Sequence, residues 1–105
     1  MSVININNNN FQDEVMHSEK LVLLDFWASW CGPCWMVSPI VDEIAAQRSD
    51  IKVGKINVDE QPELAARFMV RSIPNIVIMS GGSVVQSVVG GRSKETLLEL
   101  LSEAK

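Results

Sequence analysis

Leu21-Val22-Leu23-Leu24-Asp25-Phe26-Trp27-Ala28-Ser29-Trp30-Cys31-Gly32-Pro33-Cys34-Trp35 carries the only two cysteines of the chain. Its first seven residues are apolar except Asp25. Continuous rather than alternating apolarity predicts a central strand covered on both faces. After the cysteines, Met36, Val37, Ile40, Val41 and Ile44 recur at helical spacing, with Ser38, Asp42, Glu43, Gln47 and Arg48 largely on the other side. The thiol pair therefore sits where a buried strand feeds an amphipathic helix.

That position suits redox chemistry. Residues three apart on a helix are neighbours, with Cβ atoms roughly 5–6 Å apart, close enough for a disulfide after slight adjustment. With Cys31 at the helix start, the dipole and the free backbone N–H groups favour a thiolate there and lower its pKa. The thiolate is the nucleophile of disulfide exchange. Cys34, one turn further in, is shielded and suits the second, resolving attack. Gly32 leaves room for an incoming disulfide, and Pro33 has the fixed φ of a helix start.

Other uses of two cysteines fit less well. A structural staple over so short a loop gives roughly 2 kcal/mol on the chain-entropy formula, and cytosolic thiols are normally kept reduced. Cys-x-x-Cys is half a zinc site, but no second pair exists and His17 is the only histidine. Nothing favours an iron–sulfur cluster shared between two chains. A cysteine hydrolase wants a histidine partner, and vicinal thiols compete with acyl chemistry. His17 reads as a solvated helix residue. No metal ligand set is expected.

The 105 residues are 47% hydrophobic with a net charge of −4, which predicts one domain over residues 1–105. No basic stripe points to nucleic acid. No apolar run approaches the roughly 20 residues that span a membrane, and Met1-Ser2-Val3-Ile4-Asn5 has neither the basic nor the apolar region of a secretory signal. The chain reads as soluble and cytoplasmic.

Around the central stretch, Val3 to Ile6 predicts an edge strand. The asparagines 7–10 predict a turn and cap for a helix from about Asn9 to Ser18, carrying Phe11, Val15 and Met16. Ile51 to Val58 is a further strand, and Pro62 opens a short helix through Leu64, Ala65 and Phe68. Strands over Ile76–Met79 and Val84–Val89 flank the hairpin signal Gly81-Gly82. Ser93 caps a last helix with Leu97, Leu98, Leu100 and Leu101 apolar. The order β-α-β-α-β-α-β-β-α predicts an α/β domain, parallel at first and closed by an antiparallel pair. Asp25 is the misfit, a carboxyl in a buried strand that must be paired, hydrated or functional.

Asp25-Phe26-Trp27-Ala28-Ser29-Trp30-Cys31-Gly32-Pro33-Cys34, Pro39, Lys55-Ile56-Asn57-Val58-Asp59, Arg71-Ser72-Ile73-Pro74, Gly81-Gly82 and Val89-Gly90 together resemble the thioredoxin family, in its order and across nearly the whole chain. The resemblance implies a thioredoxin fold, a central five-stranded mixed sheet flanked by four helices. It implies a general protein-disulfide reductase acting through a Cys-Gly-Pro-Cys dithiol. No bound cofactor is then needed, because the electrons reside on the redox-active disulfide Cys31–Cys34. The implied partners are disulfide-containing proteins and a separate thioredoxin reductase, with the chain itself a monomer. By resemblance Cys31 attacks and Cys34 resolves. Asp25 matches the buried carboxylate that accepts or relays the Cys34 proton, and Lys55 the lysine beside it. Pro74 matches a cis-proline next to the cysteines. Trp30, Ile73, Val89 and Gly90 match the apolar rim that meets partners. Each has a plainer reading: Asp25 as a paired structural carboxylate, Lys55 as a snorkelling strand lysine, Pro74 as a trans turn proline, the rim as core.

Trp35 stands where the family usually has lysine or arginine, which removes a cation near the thiolate and adds apolar surface for substrates. Ser72 and Asn75 replace the commoner glycine and threonine around Pro74. Two rival functions share the fold: a disulfide oxidase or isomerase, and a non-catalytic protein-binding module. The Gly-Pro pair between the cysteines and the missing export signal argue against the first.

Overall fold

β2 (Leu21–Trp27) lies at the middle of the sheet and explains its own composition. Successive side chains of a strand point to opposite faces. Leu23 joins one buried cluster with Val37, Val41, Ile44, Leu97 and Leu101, whereas Val22, Leu24 and Phe26 join the other with Phe11, Val15 and Leu64. Both faces are covered, so neither set can be polar. The computed structural model describes residues 3–104. Met1 and Ser2, the start of the segment read above as lacking a secretory signal, lie outside the described residues, as does Lys105.

Among the described residues the sheet has the order β1-β3-β2-β4-β5, with β1 Val3–Asn5, β3 Ile51–Asn57, β4 Asn75–Ser80 and β5 Ser83–Val89. β3 runs parallel to β1 and β2, and β4 antiparallel to β2 and β5, so the sheet is mixed as expected. Helices α1 (Gly32–Gln47) and α3 (Lys94–Glu103) cover one face, while a short helical turn (Gln12–Met16) and α2 (Pro62–Arg67) cover the other. Gly81 and Gly82 have φ of 58° and 81°, the left-handed pair a tight hairpin requires.

Three local expectations change. The segment after the asparagines is a π-helical turn rather than a ten-residue helix: the His17 N–H bonds to the Gln12 carbonyl five residues back, at 3.0 Å. The asparagines form the expected turn, with Asn7 Oδ1 accepting from the Asn9 and Asn10 N–H groups at 2.8 and 3.0 Å, but the N-cap of the helical turn is Phe11, whose side chain makes no capping bond. Met36 is 77% exposed instead of belonging to the buried stripe. That stripe is centred on Cys34, Val37, Val41, Ile44 and Ala45, and one residue turns the helix by about 100°. Ser38, expected with the solvated residues, is half-buried over the sheet instead.

Gly54 has a packing reason. It pairs with Ile4 and Leu24, and a Cβ built on it would lie 2.7 Å from Ile6 Cγ1 and 3.2 Å from Leu24 Cδ2. Ile6 and Leu24 are both buried, at 4% and 0% exposure. Gly54→Ala should therefore cost about 1–3 kcal/mol, as overpacking does. A lowered urea midpoint with unchanged slope is expected; an unchanged midpoint refutes the account.

Candidate functional site

The site is built at the C-terminal end of β2, where the strand hands over to α1. Cys31 is the N-cap residue, with extended backbone at φ −92° and ψ 106°. Its sulfur does what a capping serine or aspartate oxygen would do, accepting the Cys34 N–H at 3.2 Å. Pro33 occupies the first turn, where a missing N–H costs nothing. Cys31 and Cys34 form a disulfide with Cα atoms 5.3 Å apart. Both are buried, at 4% and 2% exposure. Gly32 and Pro33 stand exposed above them.

The loop before β4 packs against this turn. Ile73–Pro74 is a cis peptide, and the Ile73 carbonyl oxygen lies 3.7 Å from Cys31 Sγ. The Gly90 N–H donates to the Pro74 carbonyl at 2.7 Å, which ties the end of β5 to the same loop. Asn75 donates to Ser87 Oγ and the Val88 carbonyl, both at 3.1 Å, and fixes the start of β4. Ile73 is half-buried, Pro74 buried, Gly90 half-buried and Val89 exposed. Trp30 is 69% exposed, held by its indole N–H to Asp59 Oδ2 at 2.8 Å. Residues far apart in sequence thus meet at one end of the sheet.

Trp35 is 57% exposed but not loose. Its indole N–H donates to the Ser29 carbonyl at 2.9 Å, and its ring meets Trp27 edge-on with centroids 5.9 Å apart. With Trp27, Cys34, Asp25, Ser38 and Lys55 it lines a cavity of about 140 Å³ behind the dithiol.

Asp25 projects from β2 into that cavity. Its Oδ1 is buried and has no hydrogen-bond partner among the described residues. Burial pushes the carboxyl up to a pKa of about 6; the positive charge of Lys55 pulls it down and the negative charge of Asp42 pushes it up. Lys55 is the register partner of Asp25 across the parallel β2–β3 pair. Its ammonium, however, is bonded elsewhere, to Asp42 Oδ1 at 2.8 Å and to Ser38 Oγ at 2.6 Å.

The structure brings together the residues singled out in the sequence for this site, and His17, read as a solvated residue, is exposed away from it, 3.8 Å from Asp13. What the sequence reading missed is Ser38 and Asp42. The signal was available: Cys34, Ser38 and Asp42 are spaced by four, one flank of α1. Among the described residues no group of three potential ligands is placed to hold a metal, and no helix is long and apolar enough to cross a membrane.

The arrangement can hold a dithiol or disulfide, stabilise a negative sulfur at Cys31 and move a proton near Cys34. The comparisons agree with that chemistry. Residues 2–103 match the Thioredoxin family model. A protein named thioredoxin from Pyropia yezoensis is 48% identical over 104 residues, covering 98% of this chain and 97% of that one. A thioredoxin 1 from Nostoc sp. is 48% identical over 99 residues, 93% of this chain and 92% of that one. A bifunctional thioredoxin reductase/thioredoxin from Mycobacterium leprae is 46% identical over 101 residues, 95% of this chain but 22% of that protein.

Proposed function

The chain belongs to the thioredoxin family, and from that premise we propose that it works as a monomeric, single-domain reductant of protein disulfides in the cytoplasm, recycled by a separate thioredoxin reductase. It is a protein-disulfide oxidoreductase whose redox couple, the Cys31–Cys34 disulfide, lies within the chain. The Mycobacterium leprae relative, whose name joins a reductase to a thioredoxin, supports the recycling half of the reading.

In the reduced chain Cys31 is the nucleophile. The Cys34 N–H that points at its sulfur is the observation that carries this assignment. A hydrogen bond to a charged group contributes about 1.5–3 kcal/mol, more than one to a neutral group, so it favours the thiolate over the thiol. The helix N-terminus acts in the same direction. The thiolate attacks one sulfur of a substrate disulfide, and the other leaves as a thiolate. Cys34 then gives its proton to Asp25 and attacks Cys31 Sγ. The mixed disulfide breaks, the second substrate sulfur leaves as a thiolate with the electron pair, and the Cys31–Cys34 bond forms. Asp25 returns the proton through the cavity. Lys55 modulates that carboxylate through its charge. Gly32 and Pro33 leave the approach open. The substrate chain lies against Trp30, Ile73, Pro74, Val89 and Gly90, with Trp35 extending the apolar surface on the far side of the cysteines.

The test separates the two sulfurs. Cys34→Ser keeps the attacking thiolate but removes the resolving one, so it should accumulate as a mixed disulfide with a disulfide-bonded test protein. Non-reducing gels should show a band that reductant collapses. Failure to trap any protein that wild type reduces would overturn the two-step scheme.

A further inference from the structure

Lys55 presents an oddity at the centre of this site. It is paired in register with a buried carboxylate that has an unpartnered oxygen, yet its ammonium is bonded to two other side chains. Those side chains are Ser38 and Asp42, on the flank of α1 that also carries Cys34. We infer that Ser38 and Asp42 are positioning residues that clasp the Lys55 ammonium away from Asp25 and so set how readily that carboxylate takes a proton. For turnover, the inference rests on the reading of Asp25 as the acceptor of the Cys34 proton.

The geometry makes the alternative arrangement concrete. Lys55 is a long side chain whose end is largely covered, at 15% exposure, so few partners are within reach. The elements packed around it offer Asp25 from β2, Ser38 and Asp42 from α1, and Glu60 across the cleft on its other side. Around Asp25 the titratable groups are Cys34, Lys55 and Asp42, while its β4 neighbour Ile76 is apolar. Asp42 raises the proton affinity of Asp25 in two ways: by its own negative charge, and by occupying the Lys55 ammonium, which would otherwise lower it further. A cation moving to within about 4–6 Å of a carboxylate lowers its pKa by about 1–3 units. A base works best when its pKa lies near the operating pH, so losing the clasp makes Asp25 a poorer acceptor. Ser38 contributes a neutral hydrogen bond and a smaller share.

Nuclear magnetic resonance titration of aspartate-labelled oxidised protein reads Asp25 directly, without interference from a Cys34 thiol. In Asp42→Asn the midpoint should fall by one pH unit or more, and in Asp42→Glu it should stay within half a unit of wild type. In a Lys55→Met background, Asp42→Asn should move it by less than half as much, because no ammonium is left to be redirected. An unmoved midpoint in Asp42→Asn, or an equal shift with and without Lys55, overturns the clasp. Asp42 is exposed, so these variants leave the core intact. The pH profile of single-turnover reduction of a disulfide peptide should follow the midpoint in each variant. A midpoint that moves while the profile does not supports the clasp and refutes the proton-relay reading instead.

Discussion

Cys31→Ser should reduce the turnover of disulfide-bonded insulin by at least about a thousandfold, and Trp30, Pro74 and the rest of the surface should not rescue it. A hydroxyl in place of the thiol cannot exchange with a disulfide, because the sulfur–sulfur intermediate has no counterpart. A thousandfold loss corresponds to about 4 kcal/mol of transition-state stabilisation. It falls on one atom because the site concentrates its help there. The Cys34 N–H and the end of α1 both act on Cys31 Sγ. Cys34 is not expected to take over the attack: its own N–H serves Cys31 Sγ, it lies inside α1 rather than at the N-cap, and it lines the cavity with Trp35 and Trp27. The same measurement judges the binding-module alternative. If Cys31→Ser keeps more than a tenth of the wild-type rate, the dithiol is not where reduction happens.

The part of this site that was legible in the sequence is the part fixed by short-range rules. Continuous apolarity over Leu21–Trp27 required two covered faces, and the two buried clusters supply them. Cys31 and Cys34 follow from helix spacing, and Pro33 from the first-turn preference. Asp25 stood out because a carboxyl in such a strand has to be explained. The run of asparagines forms the turn it was read as, but it does not cap the segment behind it, which is a π-turn starting from Phe11. Phe11 and Val15, both buried, are four apart and satisfy either kind of turn, so periodicity over one turn cannot separate them. Met36 and Ser38 each lie about 100° from Val37 on α1, one toward solvent and one toward Lys55. Composition alone assigns the apolar residue to the core and the polar one to water. Tertiary placement reverses both, because the sheet below Ser38 carries a lysine and a carboxylate rather than leucines. The clasp on Lys55 was illegible for the same reason: it needs the β2–β3 register and the placement of α1 at once.

Asp25 also makes the second large prediction, and it concerns stability. Its pKa is raised from 3.8 to about 6 in the folded chain, chiefly by burial. In that interval the folded state binds a proton that the unfolded state has released. A group raised in this way contributes its full stability below the unfolded pKa and loses it as pH climbs through the folded one. Each pKa unit is worth 1.36 kcal/mol, and at pH 4 the unfolded carboxyl is already partly ionised, so wild type should lose about 2 kcal/mol between pH 4 and pH 7 through this residue alone. Asp25→Asn keeps the size and polarity of the side chain but cannot ionise. Its stability relative to wild type should therefore rise by about 2 kcal/mol over the same interval and stay level above pH 7. In a domain of this size that is a difference in melting temperature on the order of 10 °C near neutrality. Denaturant titrations of the oxidised forms from pH 4 to pH 8 measure it with the disulfide held constant. A difference that is flat across that range would mean the buried carboxylate is solvated or paired after all. A difference of the expected size would show that the fold keeps, at the cost of stability, a carboxylate placed beside Cys34 with its proton affinity near neutral pH. A carboxylate serving only as structure gives no reason to retain that cost, whereas a proton acceptor does.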